Sequence, residues 1–269
     1  MRRANHYTPK ILFFIGASLI VTNIFGLFTS LRNQEIFEET NTHSKQDITL
    51  TEDKIHDVIN QNIVDKKIYF ETLNKTINKG IAHYWENEGI DKYNLRIPFY
   101  ENYFLYIASY IMPKSFKKYE FLDYRRAIER GVGLCSQQSI IVSEILNEKG
   151  IKSRILGLSG HTVATAQVDD KHNQWWILDP DYGVIIPHSI DEIEKKPEII
   201  APYYRKHGYT DDYIINGLIG GYKKEGNILI DGVMNYSFLR YWVEKITYVL
   251  IWIFPLFLML PAFIYRYRK

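Results

Sequence analysis

The sequence predicts an α+β domain suspended between two membrane-spanning helices. Three features carry that expectation: an uncharged apolar run near each end of the 269-residue chain, helix-period segments through its first half, and three short strand-like segments after residue 150. An apolar content of 46% is enough to bury a core. The 33 basic and 31 acidic residues are well mixed, leaving a net charge of +2. No basic stripe emerges, so nucleic acid is not an expected partner. With one cysteine the chain has no internal disulfide and no multi-cysteine zinc site.

From Ile11 to Leu31 no residue is charged. At ~1.5 Å per residue this run spans roughly 30 Å, the thickness of a bilayer's hydrocarbon core. A cleavable leader would be shorter and end in small residues. Here Arg32-Asn33-Gln34-Glu35 follows directly, so residues 11–31 are expected to remain as an anchor. A second uncharged run covers Ile246 to Tyr265. Its Pro255 and Pro261 are tolerated in membrane helices, and Trp242, Tyr248, Trp252, Tyr265 and Tyr267 sit at or near its ends like an aromatic belt. Arg2, Arg3 and Lys10 precede the first run, and Arg266, Arg268 and Lys269 follow the second. These flanks predict a cell-membrane protein with two spans in contact with lipid. Residues 1–10 and 266–269 are then cytoplasmic, with 32–245 on the outer side. A lone cysteine suits that oxidising side.

Residues 32–65 are polar and read as a juxtamembrane connector, helical from Glu52 to Asn62. The domain proper is expected over 66–240. Ile68, Leu73, Ile77 and Ile81 predict a helix running to about Asn87. A second covers Glu101 to Met112 and ends at Pro113, and a third runs from Phe121 to Glu129 into a Gly131-Val132-Gly133 break. Ile141, Val142, Ile145 and Leu146 form the apolar stripe of a fourth, 136–149, stopped by Gly150. Strands are expected at Ser153–Leu158, Thr162–Val168 and Gln174–Leu178, the last two joined by the polar turn 169–173. Residues 183–240 carry scattered glycines (Gly217, Gly220, Gly221, Gly226) and read as loops.

Cys135 stands at the first turn of the 136–149 helix. A thiol attacks acyl carbon as the thiolate, whose free pKa is near ~8.5 and falls at a helix N-terminus or beside an imidazolium. The same first-turn amides suit an oxyanion. His161, after Gly160, opens the second strand, where a general base is well placed. Asp179 closes the third, before Pro180. If the two strands pair through 169–173, His161 and Asp179 meet at one end of the hairpin, where a carboxylate orients the imidazole. Trp175 or Trp176 is expected to shield such a site from water.

The combination G-L-C-S-Q-Q-S, a helix ending in K-G-I-K-S-R, then G-H-T-V and W-W-I-L-D-P resembles the transglutaminase-like core, of papain-like fold, over about residues 120–183. Ser139, Lys152 and Thr162-Val163 stand where that family commonly has alanine, proline and Ala-Trp. The resemblance implies helices packed on an antiparallel sheet, with Cys135 as nucleophile, His161 as base and Asp179 as orienter. It also implies acyl transfer through a thioester on Cys135, from a peptide or another amide or ester substrate. Peptidase, amidase and cross-linking outcomes all fit. The alternative is a non-catalytic binding or assembly module of a membrane complex built on the same fold.

No cofactor is expected, since no acidic calcium loop is visible, and no His/Asp/Glu cluster has metal-ligand spacing. His172 reads as a solvated turn residue, and His188 and His207 as surface residues without nearby partners. Asp169-Asp170 and Asp211-Asp212 read as loop charges. A transport role is not expected of two spans without intramembrane charge.

Overall fold

A computed structural model of the protein describes residues 7–37, 48–84, 89–223 and 226–267. The first apolar run forms α1 (Tyr7–Leu27). The helix stops short of Leu31 because Phe28 and Thr29 turn back onto the carbonyls of Phe25 and Gly26. Leu31 is fully buried in the domain core, which is why the apolar run outlasts the helix.

After α2 (Glu52–Ile59), Asp65 opens α3 (Lys66–Gly80) by accepting the amides of Lys67 and Ile68. This helix ends at Gly80, earlier than its apolar spacing predicts, although residues 85–88 lie outside the described set. The Ile55 side chain fills the place of a Gly80 Cβ, and Ile81 is already extended, leading into β1 (Ala82–His83). Three helices follow: α4 (Gly89–Lys92), α5 (Phe99–Ile111) and α6 (Pro113–Phe116). Pro113 does not end the helical region. It opens α6, at a position where its missing N–H costs nothing. α7 (Tyr124–Arg130) closes on Gly131, whose φ of 71° is the left-handed cap that glycine adopts freely. The chain then extends into β2 (Val132–Gly133), parallel to β1 with His83 opposite Gly133.

Next come α8 (Cys135–Glu148) and the strands β3 (Ser153–Leu158), β4 (His161–Asp169), β5 (Gln174–Asp179) and β6 (Val184–Ile186). The span read as loops holds short elements instead: α9 (Ile190–Lys195), α10 (Ala201–Lys206), α11 (Asp212–Gly221), β7 (Ile228–Ile230) and α12 (Gly232–Tyr236). Gly217, Gly220 and Gly221 lie within α11 rather than in a loop. Six-residue helices show too few turns to leave a period in the sequence. The sheet runs β6-β5-β4-β3-β7, and each neighbouring pair is antiparallel.

Both faces of this sheet are covered. Ala164, Ala166, Trp176 and Leu178 face α8 and α3, joining Ile141, Val142, Ile145, Leu73 and Ile77 in one core. Leu156, Val163, Ile177, Val184 and Ile186 face the other way, against Ile193, Ile200, Tyr204, Ile215 and Tyr222 of the segment after β6. Successive strand residues point to opposite faces, so a sheet covered twice reads as a continuous apolar run. In β4 every residue from Val163 to Val168 is buried.

The chain closes with α13 (Phe238–Tyr267), which contains Pro255 and Pro261 and packs along α1. A Cβ on Gly16 would fall 2.5 Å from the Pro255 carbonyl oxygen, so the two backbones approach closely only because that position lacks a side chain. Asn23 donates its amide to the Ile251 carbonyl at 2.5 Å. Both helices are long and apolar enough to cross a membrane. Only 17% of the most apolar window of each is buried, which favours contact with lipid over a place in a soluble core. Arg2, Arg3, Arg268 and Lys269, on which the predicted orientation leans, lie outside the described residues.

Candidate active site

The approach to Cys135 is braced from beneath. Arg130 is fully buried and donates to the carbonyls of Val132 and Tyr119 at 2.9 and 2.6 Å, and to Gln137 Oε1 at 3.1 Å. Burial brings its pKa down to about 10, with the charge of Glu120 opposing, so it remains a cation at neutral pH. Gln137 also exchanges two hydrogen bonds with the Phe121 backbone, both 2.7 Å. Gly133 must lack a side chain, because a Cβ there would fall 2.5 Å from Gln137 Cβ. The chain is thereby steered into α8 with Cys135 as its first residue. Leu134, at the N-cap, offers no side-chain acceptor. The first-turn amides beside the sulfur are the donors such a helix start leaves uncapped.

His161 is set by a tight hairpin in which Leu158 pairs with His161 across Ser159-Gly160. Gly160 has a φ of 80° with open space around it, so the turn needs its backbone freedom rather than its small size. The β4–β5 register pairs Ala164 with Leu178 and so brings the start of β4 beside the end of β5. There His161 Nε2 lies 2.9 Å from Asp179 Oδ2. Asp179 has no exposed surface, and its other partners are the Tyr204 hydroxyl, donating at 2.6 Å, and the Tyr182 amide, donating at 3.2 Å. Burial alone would lower the His161 pKa, but Asp179, by charge and hydrogen bond, and then Cys135 hold it well above the ordinary imidazole value. With Nε2 engaged by the carboxylate, Nδ1 is the nitrogen left for the thiol.

Spacing along the chain did not reveal a second imidazole–carboxylate couple against the same sulfur. Asp181 Oδ1 lies 2.6 Å from His83 Nδ1 and accepts from Gln138 Nε2 at 3.1 Å. Both members are buried. Ligand-type atoms of Cys135, His161 and Asp181 all fall within 4.8 Å of one another, a trio able to hold a metal ion that sequence spacing gave no reason to expect. Asn78 fixes the turn by donating to the carbonyls of Pro180 and Asp181, and Asn74 donates to those of Asp179 and Val184. Ser139 Oγ lies 2.8 Å from the Cys135 carbonyl oxygen and 2.9 Å from that of Thr162, bridging α8 to β4. An alanine there would make neither contact.

Trp175 and Trp176 do not cover this place. They pair with Gln167 and Ala166, towards the 169–173 turn at the far end of the hairpin. Tyrosines stand there instead. The Tyr182 ring meets His161 edge-on at 5.4 Å, and Tyr204, Tyr209 and Tyr222 gather behind it. Burial and then the Asp179 charge push the Tyr204 and Tyr222 phenols well above their ordinary range, keeping both as neutral donors. A cleft of about 570 Å³ opens beside His161, between the Ser159-Gly160 turn and α11.

The remaining candidates fall elsewhere. His172 is an exposed turn residue paired with Asp169. His188 and His207 do have partners, at Tyr203 Oη and the Tyr203 carbonyl. Asp170 pairs with Lys66, and Asp212 with Arg205. Family models, curated proteins and solved structures show no match to this chain.

Proposed function

We propose that the protein is a membrane-anchored, cysteine-dependent acyl-transfer enzyme with a transglutaminase-like, papain-like core. The observation that carries this reading is the convergence of three separate segments: a thiol at a helix start, an imidazole on a strand end, and a buried carboxylate 2.9 Å from its far nitrogen. Cys135 is the nucleophile, His161 the proton carrier and Asp179 the group that orients it.

In the first half-reaction the sulfur bonds to the carbonyl carbon of an amide or ester. The C–N or C–O bond breaks, and the proton on His161 Nδ1 passes to the departing amine or alcohol. The result is a thioester on Cys135. In the second half, water or an amine gives its proton to His161 and displaces the sulfur. First-turn amides of α8 are the candidate oxyanion donors, and one such donor is worth about 2.7–4 kcal/mol in a well-studied hydrolase. Asp179 stabilises the imidazolium that both halves require. Positive flanks support placing both termini in the cytoplasm and the domain on the outer side.

The test is labelling of the full-length protein in detergent micelles with a peptidyl vinyl sulfone. Cys135 is the sole cysteine, so thiol labelling reports it alone. Rapid labelling that disappears in Cys135→Ala and slows at least ~10²-fold in His161→Ala is the expected result. Equal rates in wild type and His161→Ala would overturn the reading and leave the fold to a binding role.

A further inference from the structure

The helix α5 carries an apolar face that the domain does not cover. On its inner side Leu105 and Ser109 are buried. On the outer side Ile107, Tyr110 and Ile111 are 48%, 57% and 73% exposed, and Met112 follows at 45%. Phe104, Ile107 and Ile111 fall on one helical stripe by their spacing of three and four. The first of them already rests on the second span, with its ring 5.6 Å from that of Phe254.

Other contacts fix the depth of this helix. Asn102 donates to Thr247 Oγ1 and Tyr103 to the Ile251 carbonyl, both at 3.0 Å. Tyr100 stacks edge-on with Phe25 of α1 at 5.7 Å. The Tyr100 carbonyl oxygen occupies the space a Cβ on Gly26 would need. Contacts with Thr247, Ile251 and Phe254 fall within the first nine residues of the uncharged run that begins at Ile246, a depth of about 12 Å along a helix. On α1 the contacts are at its outer end. Thus the first turns of α5 lie against the outer halves of both spans, reaching from their outer ends inward. Its bare stripe continues the surface that those spans present.

We infer that α5 is a third membrane element, an in-plane helix seated in the outer leaflet, with lipid as the occupant of its exposed face. Ile107 and Ile111 enter the upper acyl region, the Tyr106 and Tyr110 hydroxyls lie at the headgroup level, and Lys114 at the end of the face reaches the phosphates. Arg96, stacked 4.3 Å over the Tyr110 ring, marks the polar edge of the face. This inference rests on the two spans crossing a bilayer, as proposed above.

The test uses full-length protein in the Cys135→Ser background, with a single cysteine introduced at Ile111, at Phe257 or at Tyr213. Each is labelled with an environment-sensitive fluorophore and reconstituted into phosphatidylcholine vesicles carrying quenchers at shallow or deep acyl positions. Phe257 is an exposed mid-span residue, and Tyr213 an exposed residue of α11. The expected result is loss of emission at position 111 with the shallow quencher, at 257 with the deep one, and at 213 with neither. Quenching at 257 without quenching at 111 overturns the in-plane helix and leaves the spans standing. No quenching at 257 overturns the spans, and the inference falls with them.

Discussion

His161 gives its outer nitrogen to a carboxylate that water does not reach: Asp179 Oδ2 lies 2.9 Å from Nε2 and has no exposed surface. The ring stays one-tenth exposed. A buried anion beside a largely buried imidazole both orients the ring and favours its charged form.

Replacing Asp179 with asparagine removes that charge. Burial then acts on His161 opposed by Cys135 in place of the carboxylate, and its pKa falls from well above the ordinary value towards it. The alkaline limb of the rate of Cys135 acylation against pH should move to lower pH. The maximum rate should drop by about 10²–10⁴-fold. An unchanged limb would show that Asp179 does not govern the ring.

The same raised pKa makes stability depend on pH. A histidine whose folded pKa exceeds its unfolded value of ~6.5 stabilises the fold fully below that value, and the contribution is lost as pH rises through the folded pKa. The difference in melting temperature between wild type and Asp179→Asn should therefore be largest in mildly acidic buffer. It should shrink to a constant remainder once pH passes the raised value. A difference that grows with pH would reverse the sign and refute the assignment.

Asp181→Ala leaves His83 and Gln138 without their shared acceptor in a closed interior. Leaving a buried polar group without its hydrogen-bond partner typically costs about 1–3 kcal/mol. Denaturant unfolding of the variant should show a loss of that order, whereas Asp170→Ala, at an exposed pair with Lys66, should lie within about 1 kcal/mol of wild type.

Gly16→Leu forces a side chain into the Pro255 carbonyl and Met259. Overpacking of this kind costs about 1–3 kcal/mol. Thermal denaturation in micelles should register it, and Val21→Leu, on an outward-facing residue, should not.

Much of the candidate site's geometry was legible because it rests on local rules. A glycine before a helix start, a polar turn between two alternating segments, and a proline after the last strand were enough to set Cys135, His161 and Asp179 on neighbouring element ends. The second couple was hidden for a physical reason. His83 belongs to a two-residue strand paired with β2, and it meets Asp181 across 98 residues of chain. No period or spacing encodes such a contact. The covering layer after β6 was missed because its helices are short, and the tryptophans were misplaced because hairpin register, not proximity in sequence, decides which end of the strand faces the thiol. The apolar face of α5 reads as ordinary core until the spans are seen beside it.

Arg240 projects from α13 to Glu120 at 3.1 Å, and the other oxygen of that carboxylate is hydrogen-bonded by Ser136, the residue after the thiol. The uncharged run begins only six positions further along the same rod, about 9 Å by helical rise. Cys135 is therefore linked through its neighbour Ser136 and a short string of side chains to α13, just before that helix becomes uncharged. On the proposed chemistry, the working height of this enzyme is built into its anchor. On that chemistry and topology, a carbonyl carried along the bilayer surface is better placed to meet the sulfur than one held far out in solution.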